Sequence, residues 1–274
     1  MNSILPHLLS AAIYAVLGIY FWKRYWVELA AEPASTSGHV IEHVALLIPF
    51  SLHSVVLFNA LGTDGALHLG VGEAISLIIW LTVFIYGLGS LYYRLEGLQA
   101  LVMPAAGVAV LLPLWLPAAH GLANTQTPIF KAHLIIAMLA YSLFTIASLH
   151  VVLMALIERR LHNGTLPLAL SRMPPLLTLE KLLFRIIGAG FILLSLTIFS
   201  GIVFSEELFG KAAQFNHKTI FGFLSWLIFA ALLAGRKRYG WRGRTAVRWT
   251  LMGFSTLVLA YIGSKFVLEV LLHR

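Results

Sequence analysis

The chain has 274 residues, of which 59% are hydrophobic and only 11% are charged, and its mean hydropathy is +0.88. Because a soluble domain carries roughly 25% charged residues, this composition indicates an integral membrane protein. The chain has no cysteine, which excludes disulfides, thiolate metal ligands and thiol-linked cofactors. We assign the net charge of +8 to loops that set membrane topology, so the expected surroundings are a lipid bilayer and not a nucleic acid.

Eight apolar segments are long enough to cross a bilayer, since a transmembrane helix needs about 20 such residues. Lipid cannot satisfy the backbone of an open strand edge, so each segment is predicted to be a helix. The sequence therefore predicts an all-α, polytopic membrane bundle that forms a single integral-membrane domain over residues 1–274. The predicted spans are residues 4–22, 42–60, 71–91, 98–116, 129–157, 180–204, 217–235 and 247–270.

Basic residues divide unequally between the two sides of this arrangement. With eight spans, the loops and span ends after spans 1, 3, 5 and 7 share one side and hold all but five of the 19 Lys and Arg residues. The positive-inside rule places that side in the cytoplasm of a bacterial inner membrane. Both termini are then predicted to face the periplasm.

Three histidines occupy positions where a membrane protein could use them. His133 opens the fifth span and His217 opens the seventh, and both spans run inward, so both rings are predicted at the outer face. The positive end of a helix disfavours imidazolium, and the neutral ring is the form that binds metal. His53 lies within the second span, where an ionisable side chain is a candidate for function.

Each of these residues also has a simpler interpretation. A histidine at a span end often only hydrogen-bonds to headgroups or water, and His53 could make an interhelical hydrogen bond. Glu73, near the start of the third span, is either a favourable charge at a helix start or a group that faces a cofactor or a histidine. No HxxxH or HExxH spacing links His53, His133 and His217, so a joint site of these residues needs side chains from different helices, as two axial ligands of a haem would be.

Four stretches, in their order, resemble the cytochrome c assembly proteins, which are haem-handling membrane proteins of the CcsA/CcmC type. The resemblance is strongest to their YpjD-like inner-membrane branch and covers about residues 40–270. A weaker fifth stretch, GEAISLIIW, includes Glu73. The four stretches are KAHLIIAMLAYSLF, MPPLLTLEKLLFRIIGAGFILLSLTIFSG, FNHKTIFGFLSWLIFAALL and GWRGRTAVRWTLMGFSTLVLAYIGSKF.

The resemblance implies non-covalent haem b at the outer face and a role in cytochrome c maturation, alongside other maturation proteins. His133 matches the family's external haem histidine, and His217 matches the outer-face histidine of the YpjD-like branch. His53 matches a span histidine. The Trp-rich WWD-type motif of the haem-handling members is absent, because Phe215 and Asn216 stand at its tryptophan–aspartate pair. This departure concerns haem delivery, whereas haem binding needs only ligands and apolar walls.

Two other functions stay open at this point. The missing Trp-rich motif would also suit a haem-free structural or regulatory membrane subunit. A small-solute transporter is the third possibility, with Pro104 and Pro113 interrupting the fourth span, although the sequence has no inverted repeat. An enzymatic role is at most that of a haem-lyase-like component, because no nucleophile or acid–base pair stands out.

Overall fold

The computed structural model describes residues 4–27, 36–61, 69–93, 95, 97–116, 127–162, 175–205 and 217–267. These residues form helices and short connections, with no strand among them, which confirms the predicted all-α membrane bundle. The helices are α1 (Ile4–Trp22, continued as a π-helical turn over Lys23–Val27), α2 (Thr36–Leu61), α3 (Val71–Ser90), α4 (Gln99–Ala109), α5 (Leu112–Trp115), α6 (Pro128–His162), α7 (Leu176–Val203), α8 (His217–Tyr239) and α9 (Gly243–Val258, continued through the π-helical residues Leu259–Gly263 and a last turn over Ser264–Phe266).

Seven helices in the described ranges are long and apolar enough to cross a membrane. The fourth predicted span differs, because it forms two shorter helices, α4 and α5. Pro113 explains the break. It has no N–H to donate to the carbonyl of Ala109, and its ring would collide with that carbonyl in a continuous helix.

The α4–α5 pair nevertheless carries the chain from one end of the bundle to the other. A Cβ atom at Gly72, in the first turn of α3, would lie 3.0 Å from Pro113 of α5. Near the end of α3, a Cβ atom at Gly89 would lie 3.4 Å from Leu95, which precedes α4. The pair therefore runs antiparallel to α3 over its length, so the described part of the bundle has seven helices of spanning length and this shorter pair in place of the fourth predicted span.

The first and last described helices reach the same end of the bundle. An ion pair between Arg24 and Glu42 (3.0 Å) joins the end of α1 to the start of α2, so these helices are antiparallel, as are α2 and α3. The start of α1 is thus level with the start of α3. Lys265, after α9, donates a hydrogen bond to the carbonyl of Leu69, just before α3. The orientation of this end toward the periplasm stays a prediction.

The two ends of the bundle carry very different charge. One end, called the basic end here, holds twelve described basic residues: Lys23, Arg24, Arg159, Arg160, Lys181, Arg185, Arg236, Lys237, Arg238, Arg242, Arg244 and Arg248. At the opposite end, called the histidine end because His7, His133 and His217 lie there, the described basic residues are Lys131, Lys218 and Lys265. The fold thus sorts charge as the loop count predicted, and the positive-inside rule again favours a cytoplasmic basic end.

The crossings pack as two groups of four helices, α1–α4 and α6–α9, which are joined where α3 packs on α6. In the second group, α6 and α8 meet at its centre through Phe144 and Phe229, whose stacked rings have centroids 3.9 Å apart. Both rings are fully buried. Gly190 of α7 and Gly253 of α9 lie directly against them, so small residues allow these backbones to approach closely.

We predict that Gly253→Ala destabilises the protein. The added Cβ would lie 2.9 Å from Phe229, which cannot move because it stacks on Phe144. Overpacking of this kind costs about 1–3 kcal/mol. The matched control is Gly222→Ala in α8, where a Cβ meets nothing within 4 Å and alanine favours the helix. Thermal unfolding in detergent should show a lower midpoint for the first variant only, and equal midpoints would contradict the packing described.

A second prediction concerns orientation, and the absence of native cysteines makes it simple to test. Lys131→Cys at the histidine end should react with a membrane-impermeant maleimide in intact spheroplasts. Lys237→Cys at the basic end should react only after permeabilisation. Both lysines are exposed, so differences in burial do not complicate the comparison. The reverse labelling pattern would place the basic end outside the cytoplasm.

Candidate functional site

His133 lies in the second turn of α6 and is half-buried at the histidine end. Its Nδ1 is 2.8 Å from the hydroxyl oxygen of Ser200 in α7. That hydroxyl also lies 3.1 Å from the carbonyl of Thr197, to which it can donate its single proton. When it does so, Nδ1 of His133 is the donor to Ser200, and the lone pair of the neutral ring is on Nε2. Nε2 is then the nitrogen that can bind a metal.

His217 is the first residue of α8, and its side chain is exposed. Its Nε2 lies 3.0 Å from the hydroxyl oxygen of Ser264, which is buried in the last turn after α9. This contact joins the start of α8 to the end of α9. Nδ1 of His217 makes no hydrogen bond with a described residue.

The two histidines belong to helices that face each other. Both α6 and α8 pack on α7 and on α9, so they occupy diagonal positions in the second four-helix group. His133 and His217 therefore lie at the same end, on opposite helices. Within the described ranges the two rings hydrogen-bond to different serines, Ser200 and Ser264. Residues 206–216, which include Phe215 and Asn216, lie outside the described residues.

Aromatic residues lie deeper in the group than the two histidines. Tyr141 of α6 donates a hydrogen bond to the carbonyl of Leu257 in α9, at 2.8 Å. Tyr261 packs edge-on against Tyr141, with centroids 6.3 Å apart, and the ammonium of Lys265 lies 5.8 Å from the centroid of Tyr261. Two tyrosine rings and one lysine ammonium group thus lie close together in this group of helices.

His53 belongs to the other four-helix group. It is completely buried, and its Nε2 lies 2.8 Å from the hydroxyl of Ser76 in α3. Tyr14 of α1 packs edge-on against its ring, with centroids 5.9 Å apart. The contact with Ser76 is the interhelical hydrogen bond that the sequence left open, while Nδ1 of His53 is buried without a hydrogen-bond partner. Its described contacts are with Ser76 and Tyr14, and not with His133 or His217.

Glu73 lies in the first turn of α3 and is buried. The backbone N–H of Gly70 donates to its Oε2 at 3.1 Å, so the carboxylate caps the start of the helix. This position agrees with the simpler interpretation of Glu73 as a favourable charge at a helix start. A role of Glu73 toward a cofactor stays a prediction.

Sequence reasoning missed the serine partners of the histidines. Ser200 and Ser264 are 67 and 47 residues away from His133 and His217 along the chain, so no local spacing reveals them. No group of three or more His, Asp or Glu residues in the described part of the chain could hold a metal ion. This arrangement does not support a zinc centre but is compatible with axial ligation, which takes one ring from each of two helices.

We predict that His53 and Ser76 are energetically coupled. Ser76→Ala leaves Nε2 of His53 buried without its partner, whereas His53→Leu with Ser76→Ala removes both polar groups. A double-mutant cycle on unfolding in mild detergent should give a coupling of roughly 1 kcal/mol. Strictly additive effects would show that this hydrogen bond contributes nothing to stability.

The sequence of this chain is similar to those of several known proteins. The family model described as "Cytochrome C assembly protein" matches residues 40–272. "Inner membrane protein YpjD" of Escherichia coli K12 is 28% identical over 235 residues, which are 83% of this chain and 86% of that protein. "Cytochrome c biogenesis protein CcsA" of Synechocystis is 32% identical over 109 residues, 40% of this chain and 33% of its own. The same-named protein of Gloeobacter violaceus is 34% identical over 92 residues, 34% and 27% of the two chains.

Proposed function

Because the chain belongs to the cytochrome c assembly protein family, we propose that it binds haem b non-covalently and handles haem during cytochrome c maturation. Its location as a multi-pass protein of the inner membrane agrees with its seven long apolar helices and its YpjD relative. The CcsA relatives, which are named cytochrome c biogenesis proteins, support the proposed process. Other maturation proteins are the proposed partners.

The observation that carries the proposal is the hydrogen bond between His133 and Ser200. An axial ligand must present a neutral nitrogen lone pair in a fixed direction, and a hydrogen bond at the opposite ring nitrogen fixes that direction. In the proposed site the Ser200 hydroxyl donates to Thr197, and its contact with Nδ1 of His133 then selects the tautomer with the lone pair on Nε2. Ser200 is thus a positioning residue for His133.

His217 is the proposed second axial ligand, on the helix opposite His133. When bound, haem would supply an iron centre and a flat ring that needs apolar walls. Large apolar side chains near the two histidines are exposed, including Ile135 on α6 and Ile220 and Phe223 on α8. They provide apolar surface of the required kind at this end of the bundle.

The charges of the histidine end also suit haem, which carries two carboxylates. The described basic residues there are Lys131, Lys218 and Lys265, and a lysine ammonium is a good partner for a carboxylate. The proposal concerns the binding of haem and not its transfer to an apoprotein, because Phe215 and Asn216 replace the tryptophan–aspartate pair of the haem-handling relatives.

A haem-free structural or regulatory subunit is the second candidate function. It is favoured by the fact that both histidines already have hydroxyl partners on neighbouring helices without any metal. Co-purification of a stable protein partner without cofactor absorbance would support it. Transport of a small solute stays a prediction that flux measurements in proteoliposomes would test.

The haem proposal predicts a Soret band and a pyridine haemochrome signal in protein purified from haem-replete cells. His133→Ala combined with His217→Ala should abolish both signals. Ser200→Ala should lower haem affinity roughly 10-fold or more, as loss of a positioning hydrogen bond typically does. His162→Ala, an exposed histidine at the basic end, is the matched control and should retain haem. Haem-free wild-type protein, or a double variant with unchanged haem content, would overturn the proposal.

A further inference from the structure

A cavity of about 910 Å³ lies at the basic end, far from the two candidate haem ligands. It is formed by the end of α1, the first half of α2, the second half of α3 and the residues that lead into α4. Its volume is in the range of about 300–1,000 Å³ that is usual for small-molecule sites. Most of its walls are apolar and include Phe21, Leu46, Phe50, Val83, Phe84 and Leu95.

Gln99 supplies the clearest sign that this cavity holds a ligand. It is the first residue of α4, lines the cavity and is only 7% exposed. Its Oε1 is buried and has no hydrogen-bond partner. Buried polar atoms are almost always satisfied, and lipid offers no substitute for a missing partner. The amide of Gln99 is therefore positioned to hydrogen-bond to a bound molecule.

Two further polar groups line the same cavity. Nε2 of His43 lies 2.9 Å from the hydroxyl of Ser90, and that hydroxyl donates to the carbonyl of Gly87 at 2.7 Å. Glu42 is the other group, and it is held by Arg24 at 3.0 Å. The walls thus combine a small polar region with a large apolar surface.

Charge indicates that the ligand is neutral. Glu42 contributes a carboxylate, and no Lys or Arg is among the described lining residues. Arg24 pairs with Glu42 and neutralises its charge. An anionic phosphate or carboxylate would find no further cation among the described lining residues, whereas a neutral amphipathic molecule needs none.

The shape of one wall favours a flat ring. Phe50, Trp80 and Phe84 form a cluster of nearly parallel rings, in which the centroid of Phe50 lies 4.9 Å from that of Trp80 and 6.0 Å from that of Phe84, with interplanar angles of 14° and 17°. Phe50 and Phe84 face the cavity, so they offer it a planar aromatic surface. Leu47 and Leu88 also line the cavity, and both are exposed on the outside of the bundle. A long apolar tail could pass beside them from the cavity into the lipid.

We infer that this cavity binds an isoprenoid quinone, with its ring against the aromatic wall and an oxygen of the ring hydrogen-bonded to Gln99. The unpartnered Oε1 of Gln99 can accept from a hydroxyl of the reduced quinol, and the NH2 of the same amide can donate to a carbonyl of the oxidised quinone. The prenyl tail leaves between α2 and α3 into the bilayer. The inference does not depend on the proposed haem site, which lies at the other end of the bundle.

Trp80 provides a direct measurement, because a quinone bound at its aromatic neighbours should quench its fluorescence. A short-chain ubiquinone titrated into the full-length protein in nanodiscs should give saturable quenching. Trp80→Phe should remove most of that signal while the quinone still co-purifies. The His133→Ala, His217→Ala double variant should bind the quinone normally, so failure of the haem proposal would leave this result intact.

Two variants test the site itself. Gln99→Leu removes the polar partner, and Gly87→Leu fills the cavity, since a Cβ at Gly87 meets nothing within 4 Å. Each should weaken quinone binding at least tenfold. Gly188→Leu is the matched control on α7, where a Cβ also meets nothing within 4 Å. Absence of saturable quenching, equal affinity in all variants, or recovery of a phospholipid or haem from the cavity in place of quinone would overturn the inference.

Discussion

Hydrogen bonds from buried side chains to the carbonyls of neighbouring helices determine how this bundle is assembled. In a bilayer there is little hydrophobic force between helices, because lipid is as apolar as the helix surfaces, so packing and polar contacts decide which faces meet. Ser142 of α6 donates to the Ile78 carbonyl of α3, which joins the two four-helix groups. Ser225 of α8 donates to the Gly253 carbonyl of α9, beside the Phe144–Phe229 stack. Each such bond sets both the depth and the rotation of a helix.

The candidate haem ligands use the same kind of contact at the membrane surface. His150, deep in α6, is fully buried and donates from Nε2 to the Leu179 carbonyl at 2.9 Å. A carbonyl can only accept, so this contact fixes the ring proton of His150 on Nε2. His133, on the same helix, is half-buried and has the hydroxyl of Ser200 as its partner, a group that can donate or accept.

Arginine has two physical roles at the basic end. The sequence indicated that these residues set topology, and their placement agrees with that. Arg236 also pairs with the buried Glu180, and its guanidinium lies 4.6 Å from the centroid of Phe184. Glu42 is buried in the same way beside Arg24. These acids bring charge into the bundle only where an arginine at the membrane edge neutralises it, which is the condition for burying a carboxylate at low cost.

Depth along the membrane normal could be predicted from the sequence, but rotation about each helix axis could not. Hydropathy and charge located the crossings, the basic end and the depth of His133 and His217. The rotation of a helix about its axis can be predicted from sequence only where one face is apolar and the other polar. That pattern is weak here, because the lipid and the protein interior are both apolar. The partners Ser200 and Ser264, the capping role of Glu73 and the burial of Gln99 all depend on rotation. For this reason the sequence placed the histidines at one end of the bundle, while the structure was needed to identify the serine partner of His133 and the cavity at the other end.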